Sequence, residues 1–526
     1  MHTFAPSRFR ARNGARLRSF TILIVIAFTA AALSGCARIA AMPEITPNRY
    51  APPSPDHNWT PPPTEENYLP PPLATIAPAA AAAESPEAGS AELAANSGAS
   101  AESVAGPSGL LSLAGLVDLA LRTNPETRRD WETARAQAAA YGAARAAYYP
   151  HASTETDAGY NRILFQVAPG PAVIRQWQVS PSVDFQYTLI DFGRRSADAD
   201  YARQRLAAAN FIFNRRIQDV VFGVERAFYA LSAAEAAVIA AEQNAALAHT
   251  DLDAVSDRVR LGLATEPALL LSRERNAQAE FELESARTIV NDAHAAIAVA
   301  VGVAANQPLE VENLQHLAIP KSLGQSVDTL IHDAILERPD LAAEVARMRQ
   351  SEAAQNRAHA EWFPQIGVDA NYGQENWWYN YNNVPVINSS QPQYQGLVEL
   401  KWDIFTGFAR LNDDRRTAAD RAAERESVRA LEIATIADVW RTYFDFQDAL
   451  KRYQYALALI AAANESYSAN LDTYRQGLST IVELLTADRD LAAARFTIIQ
   501  STADLLTASA AVAYAVGSIE PPAPSH

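Results

Sequence analysis

The hydrophobic pattern of this chain changes period several times, and it does so twice in the same order. Leu113 to Ala147 and Val327 to Glu361 each read as a helix of about 35 residues that stops ahead of Pro150 or Pro364. Alternation by two follows. In the first copy Ala152, Thr154, Thr156, Ala158 and Tyr160 alternate with Ser153, Glu155, Asp157, Gly159 and Asn161. Val179, Val183, Phe185, Tyr187 and Leu189 then alternate with Ser180, Ser182, Asp184, Gln186 and Thr188. In the second copy Ile366, Val368, Ala370 and Tyr372 alternate with polar neighbours, as do Val398, Leu400, Trp402 and Ile404. Alternation over ~9–12 residues predicts tilted transmembrane strands. One such strand would read equally well as an ordinary amphipathic strand; four beside very long helices favour the membrane. Loops are expected at 162–175 and 374–393. Trp377, Trp378, Tyr379 and Tyr381 in the second loop fit an interfacial girdle or a surface cluster, and the pattern does not choose.

Helical spacing then resumes and barely stops. Arg194 to Leu261 has no Pro and few Gly, and Phe408 to Gln476 repeats the length. At ~1.5 Å per residue each would reach about 100 Å, the length of a coiled coil rather than of a globular-domain helix. Val221, Val224, Phe228 and Leu231, and Ile433, Ile436, Trp440 and Tyr443, mark the apolar stripes. Gly262 and Gly477 are natural stops, and a return helix runs to about Val301 or Val516.

The two halves align at one spacing. Pro125 matches Pro339 and Tyr149-Pro150 matches Phe363-Pro364 at an offset of 214, while Arg226 matches Arg441, Gly262 matches Gly477 and Val301-Gly302 matches Val516-Gly517 at 215. So long a period excludes a solenoid repeat and indicates duplication of a large unit. The expected organisation is a signal peptide at 1–35, a Pro/Ala-rich tether at 36–109, a first unit at 110–302, a connector at 303–326, a second unit at 327–517 and a tail at 518–526.

Composition narrows the chemistry. With 44 basic and 60 acidic residues, the net charge of −16 argues against nucleic acid. Nine His never fall within four positions of one another, and a single Cys excludes an intramolecular disulfide and a Cys-rich metal site, so no metal or cofactor is expected. Asp191-Phe192-Gly193 copies a kinase tripeptide, but no phosphate loop accompanies it, and it reads as a strand-to-helix corner. No carboxylate pair stands out for hydrolysis. An enzyme is not expected.

The N-terminus reads as an address. Arg8, Arg10, Arg12, Arg16 and Arg18 precede an apolar run from Phe20 to Ala32, then Leu33-Ser34-Gly35-Cys36. This resembles a bacterial lipobox that would acylate Cys36; a chance Cys is the plainer alternative. Ala37 stands where an inner-membrane retention signal would place Asp, so the outer membrane is the expected destination. No other run of ~18 apolar residues is read as a span. The tether contains Pro61-Pro62-Pro63 and Pro70-Pro71-Pro72, and reads as part polyproline II and part disordered, a spacer or simple padding.

Four strands cannot close a barrel, and open edges in lipid are forbidden, so protomers must share one: eight strands in a dimer would be filled, twelve in a trimer leave a passage. At this point the chain resembles the TolC family of outer-membrane factors, in its lipidated branch, over about Leu111 to Gly517. The carriers are the lipobox, Asn124-Pro125 and Arg338-Pro339, the Tyr-Pro and Phe-Pro pairs, Leu189 to Gly193, Trp402 to Gly407, and Tyr474 to Leu485. The resemblance implies a mainly α protein with a membrane β-barrel: a homotrimer with a twelve-stranded barrel, four strands per protomer, and a long antiparallel α-helical barrel across the periplasm. It implies a passive duct for small molecules, fed by an inner-membrane transporter through a periplasmic adaptor protein. A duct for type I protein secretion, or a poreless periplasm-spanning structural lipoprotein, are the alternatives.

The resemblance also places the periplasmic gate. Glu483 matches an acidic ring position, and Thr486 stands where some members carry a second acid; Asp488 lies on another face. The alternative for Glu483 is a solvated helix carboxylate. Arg260, Leu261, Gly262, Leu263, Arg475, Gln476, Gly477 and Leu478 resemble adaptor-docking tips, and serve equally as helix punctuation.

Overall fold

A computed structural model describes residues 51–61, 68–69, 111–167, 170–306, 309–311, 319–381 and 387–519. One order of elements occurs twice. The first copy runs α1 (Leu113–Thr123), α2 (Pro125–Arg145), β1 (His151–Val167), β2 (Gly170–Ile190), α3 (Arg194–Arg260) and α4 (Glu266–Val301). The second runs α5 (Val327–Glu337), α6 (Pro339–Ala360), β3 (Gln365–Tyr381), β4 (Ile387–Lys401), α7 (Ala409–Arg475) and α8 (Ile481–Val516). The two long helices are 67 residues each and their return helices 36 each, so the copies match in length as well as order.

The expected 35-residue opening helices are broken in both copies. Asn124 and Arg338 are extended at ψ 123° and 119°, because a following Pro disfavours the helical conformation, and Pro125 and Pro339 start new helices where no amide hydrogen is needed. The Asn124 side chain accepts from the Glu126 amide as an N-cap and donates to the Ala300 carbonyl. The break therefore docks the first helix pair on the end of α4. Gly302, at φ +85°, closes this contact: a Cβ there would lie 2.6 Å from the Asn124 Cα. Gly517 meets Arg338 in the same way, at 3.2 Å.

The strands form one antiparallel sheet in the order β1-β2-β3-β4, leaving β1 and β4 as edges. They are longer than expected, at 17, 21, 17 and 15 residues. The expected loops at 162–175 and 374–393 are therefore mostly strand; Arg162 pairs with Arg175, and Trp378 with Asn388. The register between β2 and β3 skips Ser180 and Pro181, since Pro181 has no amide to donate to a second neighbour. Gly373 fits the crowded spot, where a Cβ would stand 3.0 Å from the Pro181 carbonyl oxygen.

Two corners turn the sheet into the long helices. Phe192 and Gly193 in one copy, and Gly407 and Phe408 in the other, take positive φ. An arginine staples each corner. Arg195 binds Asp191 at 2.7 Å and the Thr188 carbonyl at 2.7 Å; Arg410 binds the carbonyls of Glu361 and Asp403.

Part of the Pro-rich segment is packed rather than loose, which corrects the tether reading for its described part. Ala51, Trp59 and Tyr68 are buried. The Trp59 amide donates to Asn214 Oδ1 and the Asn214 amide group returns a bond to the Trp59 carbonyl, both at 2.7 Å. Both rings lie edge-on to Phe211, 5.2 and 5.1 Å away, and the Trp131 indole donates to the Pro52 carbonyl. Cys36 lies outside the described residues.

Of the described helices α8 alone is long and apolar enough to cross a bilayer by length and composition. Its Leu484, Leu491, Leu505 and Leu506 are buried against neighbouring helices instead.

Candidate functional site

The site is the far end of the helical hairpins together with the sheet at the other end. Both hairpin turns use one design. The Leu263 amide reaches back to the Arg258 carbonyl at 2.8 Å, and the Leu478 amide to the Thr473 carbonyl at 2.9 Å. Gly262 and Gly477, at φ +72° and +77°, supply the left-handed residue that this closure demands. Leu261, Leu263 and Leu478 are left 67 to 75% exposed. Arg260 and Arg475 form ion pairs with Asp257 and Asp472 on their own helices, and Gln476 is the C-cap of α7.

Glu483 and Thr486 are exposed on one face of the first turns of α8. Thr480 and Glu483 form a capping box: Glu483 Oε2 accepts from the Thr480 amide at 2.9 Å, and Thr480 Oγ1 accepts from the Glu483 amide at 3.4 Å. One carboxylate oxygen is thus engaged in starting the helix, while the side chain remains at the surface. Thr486 donates to the Val482 carbonyl at 2.7 Å.

The tips of the two copies are joined by a residue the sequence reading passed over. Arg258 donates to the Tyr474 carbonyl at 3.0 Å and lies over the Tyr474 ring at 4.5 Å. Only its position two residues before Arg260 hinted at it. Beneath the tips, Val255, Leu269, Tyr467, Tyr474, Leu484 and Leu491 make an apolar cluster drawn from all four long helices. Within it sits a buried polar set of which the sequence singled out only Asp488, as lying on another face from Glu483. Arg275 and Asp488, 3% and 1% exposed, are bonded at 2.6 Å. Asp251 on α3 faces both, and burial followed by the Asp488 charge pushes its carboxyl up to about 6, against the pull of Arg475 and Arg275.

At the opposite end the sheet has two unlike faces. One holds an open cavity of about 450 Å³ lined by Glu155, Asp157, Ser182, Asp184, Asp369, Asn371 and Gln395. The other exposes Val183, Phe185, Tyr372, Tyr394, Val398 and Leu400. Tyr160, Trp177 and Trp378 are paired in register across three strands, forming an aromatic row. Trp377, Trp378 and Tyr379 thus lie on β3, not in a loop. The polar face and the apolar belt are what a water-filled passage and a surrounding bilayer require. Among the described residues no group of three or more His, Cys, Asp or Glu could hold a metal.

This is the architecture of an outer-membrane channel protomer, and the comparisons agree. The family described as outer membrane efflux protein matches residues 116–303 and 330–518, one match per copy. The chain belongs to that family, whose members are channels rather than enzymes. It is 27% identical over 401 residues to Protein CyaE of Bordetella pertussis, covering 75% of this chain and 82% of that one. Its fold is similar to the outer-membrane channel OprN, with a TM-score of 0.67 at 18% identity, over 78% of this chain and 91% of OprN. It is also similar to the outer membrane protein VceC of Vibrio cholerae, with a TM-score of 0.65 at 16% identity, over 77% and 96% of the two chains.

Proposed function

We propose that the chain is one third of a lipid-anchored outer-membrane duct that passively conducts small molecules out of the periplasm. The observation that carries the reading is the open sheet. β1 and β4 each present an unpaired edge beside an apolar face, and unpaired amides in lipid cost several kcal/mol each. Three copies placed edge to edge make twelve strands and remove every edge. The helices support the same assembly. Phe281, Ile433 and Trp440 are 70, 56 and 51% exposed on a single chain, an apolar surface that adjacent copies would cover.

In this reading Cys36 carries the lipid. Glu483, with Thr486 one turn on, rings the periplasmic mouth, where three carboxylates would favour cations. The exposed leucines of the two tips, flanked by Arg260 and Arg475, receive a periplasmic adaptor that links the duct to an inner-membrane transporter. The transporter supplies the energy.

The test is ion conductance of the purified trimer in planar bilayers, beside efflux of small toxic compounds in a strain lacking the gene. Discrete cation-preferring channels, with the preference weakened by Glu483→Gln, and restored efflux support the reading. Loss of a secreted protein, with efflux unchanged, replaces it with the secretion duct. A well-folded monomer without channels favours the poreless spacer.

A further inference from the structure

Four buried polar side chains meet a few turns above the tips, one from each long helix: Asp251 on α3, Arg275 on α4, Tyr467 on α7 and Asp488 on α8. All four are at least nine-tenths buried. Only one strong bond is made among them, from Arg275 Nε to Asp488 Oδ2 at 2.6 Å. Asp251 Oδ2, Asp488 Oδ1, Arg275 Nη2 and the Tyr467 hydroxyl have no hydrogen-bond partner among the described residues. Each orphaned atom in so dry a layer carries an unrecovered desolvation cost, so the layer is held less firmly than a fully bonded one. The layer itself buries two carboxylates and one guanidinium, and the guanidinium is bonded to Asp488 alone of the two; Arg475 and Arg495 act on the layer from its edge. Glu282 also approaches Arg275, at 3.7 Å, but is one-third exposed. A proton on Asp251 removes the second buried anion and lets that carboxyl both donate and accept within the layer.

We propose that Asp251, Arg275, Tyr467 and Asp488 form a proton-operated latch that holds α8, the helix bearing Glu483, against α3 and α4. Protonated Asp251 turns from a second buried anion into an O–H donor, and the layer packs. When the proton leaves, two like charges face each other in a dry core, and α8 is released. Asp488 is five residues beyond Glu483, so movement at the latch is movement of the gate-bearing turn.

The groups facing Asp251 set the direction. From α8 it faces Asp488, from α4 Arg275, and from α7 Arg475 and Tyr467, with Arg495 of α8 acting in turn on Tyr467. Burial and Asp488 together outweigh the two arginines, and the carboxyl is pushed up from 3.8 to about 6. The packed layer thus binds its proton more tightly than an opened, solvated one. Its stability is complete below the ordinary carboxylate value and is lost as pH rises toward 6, by roughly a hundredfold in the packed-to-open ratio per protomer; above that it is level.

The inference uses the duct reading only for its conductance readout, so a second readout is paired with it. Full-length trimer is taken from pH 4 to 8, and potassium chloride conductance is recorded in bilayers. Amide exchange of 245–255 and 484–492 is followed in parallel, corrected for the intrinsic pH dependence of exchange. Open probability and exchange should both rise at least tenfold across the acid limb. Asp251→Asn, which keeps the shape and mimics the neutral form, should remain a trimer and stay low at every pH. Asp488→Asn should move the step to lower pH. Glu483→Gln should alter ion preference and leave the step in place. A step unchanged in Asp251→Asn, or no step in exchange, overturns the latch. An Asp251-dependent exchange step without channels at any pH supports the latch and removes the duct.

Discussion

Gly302 and Gly262 both take positive φ, yet substitution should separate them. Nothing lies within 4 Å of a Cβ at Gly262, so Gly262→Ala carries only the left-handed penalty of about 1 kcal/mol. At Gly302 the same methyl meets the Asn124 backbone at 2.6 Å and cannot be placed unless α1 and α2 move away from α4. Gly302→Ala should cost about 3 kcal/mol or more, visible as a much lower thermal dissociation temperature than that of Gly262→Ala. Arg275 makes a similar contrast. Arg275→Met strands the buried Asp488 charge and should cost about 3–5 kcal/mol, whereas Arg275→Met with Asp488→Leu should recover most of it. A double-mutant cycle on trimer stability measures the difference. The two glycines stood out in the sequence, but the close approach of Gly302 to Asn124 did not, and neither did the buried ion pair. Arg275, Asp251 and Asp488 sit in helices crowded with charge, where any one carboxylate looks like a solvated face. Burial comes only from which helices meet.

At the scale of elements, the packed strap of residues 51–61 depends on Asn214, whose amide satisfies both the N–H and the C=O of Trp59. Asn214→Ala leaves both groups buried and unpaired, a loss of about 1–3 kcal/mol. Limited proteolysis between residues 51 and 61 should then speed up about tenfold, with helical content unchanged. The sheet permits a sharper contrast. Val398→Arg puts a charge on the apolar face, at a cost of about 2–4 kcal/mol where it meets the bilayer, and should reduce recovery of the protein in the outer membrane. Gln395→Arg, on the cavity face of the same strand, should assemble normally and lower cation conductance. Alternation revealed these strands only over the halves next to the helices, and it overran β4, which ends at Lys401 before the expected Trp402 and Ile404. Past Asn161 the alternation gives way to the unbroken apolar run Ile163-Leu164-Phe165 and then to Pro169-Gly170-Pro171, so 162–175 looked like loop although the ladder continues through Arg162 and Arg175. The opening helices erred in the other direction: helix-forming composition on both sides of Pro125 and Pro339 hid a break that serves to dock the end of each copy. The strap was hidden by its prolines, which rule out helix and ladder but not burial of an isolated Trp59.

At the scale of the molecule, the duplication was legible because both copies keep the same glycines, prolines and lengths. That equality has a mechanical meaning. A hairpin of 67 and 36 residues in one copy stands beside a hairpin of 67 and 36 in the other, so the two turns reach the same level. Only then can Arg258 meet Tyr474, and Arg275 meet Asp488, across the copies. Removing about two heptads from facing positions of α3 and α4 alone should lower one tip by roughly 20 Å. Both cross-copy contacts would be lost, and Glu483 would stand without a neighbouring turn at its level. The expected result is a trimer with an intact sheet, a tip rapidly cut by protease, and a leaky, weakly selective channel. Making the matching deletion in α7 and α8 as well should restore the contacts, the protease resistance and the ion preference in bilayers. It should leave efflux in cells abolished, since a duct shortened by roughly 20 Å no longer reaches its periplasmic partner. Bilayer and cell readouts that part in this way would show that the helices set two separate quantities: their equality builds the gate, and their length spans the gap. If the doubly shortened protein restores efflux in cells, length is not what the long hairpins are for.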